Sequence, residues 1–367
     1  MKRRLILLLT VLSLVFSLFL SSCGAEYEPQ ESSEEEKETV MTLGIEKKEY
    51  DVAYELYRAL FLSLKASVDG GDETVWNGAE KNKYIEKIDA LILERISEIY
   101  AVFHLCDKAG IDVYSREVDS LIEDYIRIAV EGGSINGERF VGFNGDYAAY
   151  LADLNSMYIN YSVQELYIRY SIALERLNTY YIGSLDGENL KGGEIKYTKD
   201  EVEDFYYDSN ESRRMIRVHL SPDAFTEKRA NEIRSSIASK KSENEIINYI
   251  IHFSTSGAAD IKNGEVVGKY TLDKFYYSDI TDSLFSLSVG EVGEVIKINS
   301  DNTEGFNIIY RTDVNKEHFE DCYDDIVKSY LLNEAGKKIN DTAISLIESA
   351  KYTVTLENLD RSSVKMN

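Results

Sequence analysis

Met215-Ile216-Arg217-Val218-His219-Leu220 and Gly305-Phe306-Asn307-Ile308-Ile309-Tyr310-Arg311 read as two short apolar strands. Between them come Phe253-Ser254, which opens a polar loop, then Gly290-Glu291-Val292, with amphipathic helical stretches and turns around them. Strands this short must bury their apolar residues against other elements. The order therefore predicts a small sheet flanked by helices over residues 213–313.

Outside this stretch the apolar spacing is helical. Val52, Leu56, Ala59, Leu60 and Leu64 predict a helix from Lys47 to Lys65, closed by Asp69-Gly70-Gly71-Asp72. A second helix is expected from Glu80 to Ala109 with Gly110 as its C-cap, and a third from Ser115 to Gly132-Gly133. Tyrosine and leucine repeat at three and four from Tyr147 to Tyr181, as one helix or as two broken near Asn160-Tyr161-Ser162. Gly183 to Gly193 reads as a connector, after which Thr198 and Glu201 form a capping box for a helix from Lys199 to Tyr207. Glu317 to Ala350 reads as helix and Tyr352 to Leu356 as a strand. Neither can bury its apolar face alone, so both are expected to return to the N-terminal helices, with Thr353-Val354-Thr355 beside Val40-Met41-Thr42.

At the N-terminus Lys2, Arg3 and Arg4 precede the apolar run Leu5 to Leu20, which ends in Leu20-Ser21-Ser22-Cys23-Gly24. This is the pattern of a secretory signal ending in a lipobox, with Cys23 as the lipidated residue. Two acyl chains on Cys23 would suffice for stable anchoring. Residues 24–38 carry seven Glu, one Lys and Pro29, with too little apolar surface to offset the ordering entropy of a fold, and read as an extended tether. The formal charge is -24, and falls to about -27 if Lys2, Arg3 and Arg4 leave with the signal, which argues against nucleic acid as a partner. Cys106 shares a helical face with Ile85, Ile88, Ile92, Ile99 and Phe103, and Cys322 with Phe319 and Ile326, so both read as buried free thiols, a disulfide between them being the alternative.

The segments around His219, Phe253-Ser254, Gly290-Glu291-Val292 and Asn307 together resemble a parvulin-type peptidyl-prolyl isomerase domain. The whole layout of lipidated Cys, helical region, inserted domain and closing helix resembles the PrsA-type foldase lipoproteins and, more distantly, the SurA-type periplasmic chaperones. The resemblance implies an α+β fold: a helical chaperone region with an inserted small antiparallel sheet flanked by helices. Its expected divisions are a signal at 1–22, an acidic tether at 23–39, a helical region at 40–197 and a connecting helix at 198–212. The parvulin-like domain at 213–313, a returning helix and strand at 314–358 and a tail at 359–367 complete them.

The resemblance also implies the site. His219 matches the family's first-strand histidine, Ser256 stands where the family has Cys or Asp, and Asn307 replaces the second histidine. Val267, Phe275 and Ile280 match apolar proline-binding positions, with Tyr270 and Phe285 behind them. Rotating an X-Pro bond over a barrier of roughly 20 kcal/mol needs no covalent intermediate, metal or cofactor. Placed hydrogen bonds and a dry apolar pocket can favour the twisted amide. Ser and Asn keep hydrogen-bonding capacity at their positions but neither titrates near neutral pH.

The implied function is a membrane-anchored, extracytoplasmic isomerase, on a Gram-positive surface, whose partners are unfolded secreted proteins with X-Pro bonds. The alternative is a non-catalytic holdase, for which the many helix tyrosines would form a sticky cradle if they are not core. The helical region leaves a homodimer open. His104, His219, His252 and His318 form no His-Glu-x-x-His pair, so zinc hydrolysis is disfavoured. Gly290-Glu291-Val292-Gly293 lacks the third glycine of a dinucleotide loop.

Overall fold

The computed structural model describes residues 39–354 apart from short stretches at 70–73, 75, 77–78, 80, 136–137, 141, 187–188, 222–223, 254–257, 272–277 and 299–304. The expected signal, Cys23, nearly all of the tether and the 359–367 tail lie outside the described residues. The described chain forms two compact units: residues 39–177 with 339–354, and residues 178–338. The fold is α+β, as expected.

The first unit opens with β1 (Thr39–Ile45) and β2 (Lys48–Ala53), paired antiparallel. Here the expected helix from Lys47 is corrected, because helix α1 begins only at Tyr54 (Tyr54–Asp69). The reason is a period of two: Tyr50 and Val52 are buried, while Glu49 and Asp51 are exposed. Glu46 takes a left-handed φ of 53° at the turn. Its carboxylate accepts from Lys108 and pairs with the ring of His104, whose other nitrogen meets the Tyr50 hydroxyl at 3.0 Å.

Helix α2 (Lys81–Lys108) buries Ile85, Ile88, Ile92, Ile99, Phe103 and Cys106 on one face. It ends at Gly110 (φ 73°), where Ile111 N–H donates to Cys106 O and Gly110 N–H to Asp107 O. That is a Schellman cap, with the left-handed residue that glycine adopts at no steric cost. Helix α3 (Arg116–Glu131) starts at the Ser115 cap. A hairpin of β3 (Gly133–Ile135) and β4 (Glu138–Phe140) follows, then α4 (Tyr147–Ser156) and α5 (Tyr161–Ile182). The tyrosine-rich stretch is thus two helices. Asn160 caps the second by accepting from Val163 N–H at 3.0 Å, and Tyr158 is left-handed at the break. Among its tyrosines Tyr150, Tyr167, Tyr170 and Tyr181 are buried.

Arg95 and Glu98 form an ion pair at 3.2 Å inside this unit, with side chains only 10% and 6% exposed. Burial pushes the Glu98 carboxyl up to about 7 against the pull of Arg95. A carboxyl that holds its proton more tightly when folded adds stability at low pH. That stability is lost as pH rises from the usual value near 4.5 through about 7. Glu98→Gln is therefore expected to flatten the dependence of the melting temperature on pH between about 4.5 and 7. Trp76, the one tryptophan, packs against Phe61 and Tyr84 in this unit and reports that transition by fluorescence.

The second unit contains the hairpin of β5 (Gly183–Asp186) and β6 (Asn189–Gly192), where a connector was expected. Helix α6 (Lys199–Tyr207) begins at the expected capping box: Glu201 N–H donates to Thr198 Oγ1, and Glu201 Oε2 accepts from Thr198 N–H at 2.7 Å. The four-stranded sheet follows, with β7 (Ser212–Leu220), β8 (Glu265–Gly268), β9 (Ile296–Ile298) and β10 (Gly305–Thr312) in the antiparallel order β8-β7-β10-β9.

Alternation along the strands gives the sheet two apolar faces. One carries Ile216, Val218, Leu220, Phe306 and Ile308 against α7 (Glu227–Ala238), α8 (Glu243–Ile250) and α9 (Ala258–Asn263). The other carries Met215, Val267, Ile298 and Ile309 against α10 (Ser278–Ser286), through Ile280, Leu284 and the following Leu287. Arg213 and Arg311 donate to carbonyls at the C-terminal end of α10, where the helix dipole favours a cation. A third cluster joins Val202, Phe205 and Tyr206 of α6 to Val266 and to Phe319, Cys322, Ile326 and Leu331, so this unit extends beyond residues 213–313.

After the sheet come α11 (Lys316–Asp321) and α12 (Tyr323–Ser349), two helices broken at Cys322 where one was expected. β11 (Lys351–Val354) then pairs with β1, placing Met41 opposite Val354 and Thr42 opposite Thr353. Cys106 and Cys322 are both buried and free.

Candidate functional site

β7 and β10 pair so that His219 lies directly opposite Asn307, and both face the α10 side of the sheet. His219 Nδ1 lies 3.4 Å from Asn307 Oδ1. The side chain of His219 is half buried, whereas Asn307 is 1% exposed, and its Nδ2 has no partner among the described residues. Burial holds the His219 pKa below the usual histidine range; the bond to Asn307 opposes this and the nearby Arg217 adds to it. The imidazole is therefore neutral at neutral pH. Arg217 in turn meets Glu265 at 3.3 Å.

The pair has an apolar surround that sequence reasoning did not single out. Ile296 is opposite Asn307, Ile298 is opposite Gly305, and Ile309 is two residues along the same face. The signal was the alternation Ile296-Lys297-Ile298, which places both isoleucines on one face of a short edge strand. Gly305 (φ 144°) has no Cβ for a reason. One added there would overlap the Leu220 carbonyl and come within 3.0 Å of His219 Cε1.

Of the wall residues expected from sequence, Ile280 packs in the apolar layer on this face, and Phe285 borders it beneath the Arg213 guanidinium. Val267 is in the same layer but opposite Arg213, six residues along β7 from His219, a separation of about 20 Å at strand rise. It is core under α10 and does not wall the histidine. Tyr270 is also elsewhere: its N–H donates to Asn333 Oδ1 at 2.8 Å, and Lys269 and Lys337 lie over its ring. Ser256 and Phe275 lie outside the described residues.

A neutral imidazole, a primary amide and an isoleucine-lined face can hold an apolar ring and hydrogen-bond a peptide group. Among the described residues no cluster of three or more His, Cys, Asp and Glu offers a metal site. Among them, too, no helix is long and apolar enough to cross a membrane.

Several solved structures share similarity with this chain. The crystal structure of foldase protein PrsA from Streptococcus pneumoniae aligns at 13% identity over 76% of this chain and 89% of that one, with a TM-score of 0.33. PrsA from Bacillus subtilis aligns at 15% identity over 78% and 93%, with a TM-score of 0.26. Foldase protein PrsA from Lactococcus lactis aligns at 11% over 88% and 97%, with a TM-score of 0.25. No family model and no curated protein matches the sequence. At such scores the likeness decides nothing about the site, which stands on its own geometry.

Proposed function

We propose that this chain is an extracytoplasmic foldase, held to the membrane through a lipidated Cys23, that binds X-Pro segments of unfolded secreted proteins and speeds their cis-trans isomerisation. The observation that carries the reading is the pairing of His219 with Asn307 across β7 and β10, on the face lined by Ile296, Ile298 and Ile309. The prolyl ring would lie on the isoleucines, and His219, held by Asn307, would engage the peptide in a low dielectric.

The alternative, a non-catalytic holdase, rests on Ser256 and Asn307 standing where the family has titratable residues and on the tyrosine-rich helices. Burial of Tyr150, Tyr167, Tyr170 and Tyr181 commits those four rings to packing and weakens the second ground.

Exchange NMR on an X-Pro peptide tests the proposal. The native chain should accelerate cis-to-trans exchange, and His219→Ala, shown folded by circular dichroism, should reduce the acceleration at least tenfold. Acceleration unchanged in that variant places catalysis away from this pair.

A further inference from the structure

The edges of the His219 ring are not equivalent. Nδ1 faces Asn307 Oδ1 and Cε1 faces the bare Cα of Gly305, whereas among the described residues Nε2 makes no hydrogen bond and is not one of the buried unpaired atoms, so they leave it open. An amide oxygen can only accept, so the Nδ1 facing it must carry the proton of a neutral ring.

We propose that Asn307 is a positioning residue that holds His219 as the Nδ1-protonated tautomer and so presents Nε2 as an acceptor for a main-chain N–H of the bound peptide. The inference rests on the peptide-binding reading above and narrows its ligand. Proline has no N–H, so in an X-Pro segment the donor that approaches from the C-terminal side is the N–H of the residue after the ring. The site then favours X-Pro followed by an ordinary residue and disfavours X-Pro-Pro, which has no hydrogen there.

Asn307 itself bears the cost, because its Nδ2 is buried without a partner among the described residues, a state that usually lowers stability. A residue kept only for packing would not be expected to carry that loss. Replacing it by leucine should therefore leave the melting temperature unchanged or raise it, while altering the histidine.

The test uses the full chain in detergent micelles with 15N-labelled histidine, the His219 signals being assigned by subtracting the spectrum of His219→Ala. Long-range 1H–15N correlation should show Nδ1–H in the native chain and a shift toward Nε2–H in Asn307→Leu. In parallel, the peptide Ala-Leu-Pro-Phe is compared with its analogue N-methylated at the residue after proline. The analogue should bind roughly threefold to tenfold more weakly, the usual worth of one hydrogen bond.

A native Nε2–H signature, or equal binding of the two peptides, overturns the proposal. So does Asn307→Leu if it lowers the melting temperature and leaves the tautomer unchanged, since Asn307 would then be structural only. If the native chain binds neither peptide, the peptide-binding reading itself fails, and the acceptor role falls with it whatever the tautomer.

Discussion

Gly305→Val is expected to unfold the sheet unit at temperatures where the native chain is intact. The added Cβ would overlap the Leu220 carbonyl oxygen and press on His219 Cε1, and the φ of 144° is one that a branched residue rarely adopts. Backbone overlap cannot be relieved by turning a side chain, so β7 and β10 would have to separate at the site. Strain and overpacking together should cost roughly 3 kcal/mol or more. For a unit of this size that is a fall of about 10 °C in melting temperature by calorimetry. Gly192→Ala is the control, since Gly192 has a similarly positive φ but open space around its Cβ. It should show only the smaller conformational cost, so equal losses in the two variants would contradict the overlap argument.

The second large effect is expected at Arg214, which is 5% exposed and serves three elements at once. Its guanidinium donates to Asn263 O at the end of α9 and to Asp313 O beyond β10, and meets Glu243 of α8 at 3.4 Å. Glu243 also accepts from the Thr312 hydroxyl. Arg214→Ala would leave these carbonyls without their donor and the carboxylate without its counter-charge. Each buried carbonyl left without its donor typically costs about 1–3 kcal/mol, whereas the partly exposed Glu243 carboxylate can turn to water. Arg214→Lys should recover only part of this, because a point charge cannot reach the three acceptors that the planar fork spans. Chemical denaturation followed by circular dichroism measures both. A lysine variant as stable as the native chain would show that charge alone matters at this position.

Much of the local structure was legible because it is local. The Thr198–Glu201 box and the Gly110 terminus each depend on residues within one turn, and each forms as expected. Two signals in the sequence went unused. In the sequence, Asn136-Gly137 and Gly187-Glu188 are turn dipeptides between the segments that pair as β3–β4 and β5–β6. β2 was assigned to a helix because Val52 and Leu56 fit a period near four, while the alternation of Tyr50 and Val52 fits two.

At the site, the strand histidine and its partner were readable from pattern. Their walls were not, because position along a strand pair is set by register. Val267 lies opposite Arg213 for that reason, and Ile296 and Ile298 reach Asn307 and Gly305 only through the β9–β10 pairing. The Arg214 network joins residues nearly a hundred positions apart, and no local pattern announces it.

The most direct test of the account is to titrate the 15N-labelled full chain with Ala-Leu-Pro-Phe and follow backbone amide shifts. The account predicts that His219, Ile296, Ile298, Gly305 and Asn307 move first and together, with Tyr270 and Lys337 unmoved. Shifts confined to the helices of the first unit, with the His219–Asn307 face silent, would contradict it.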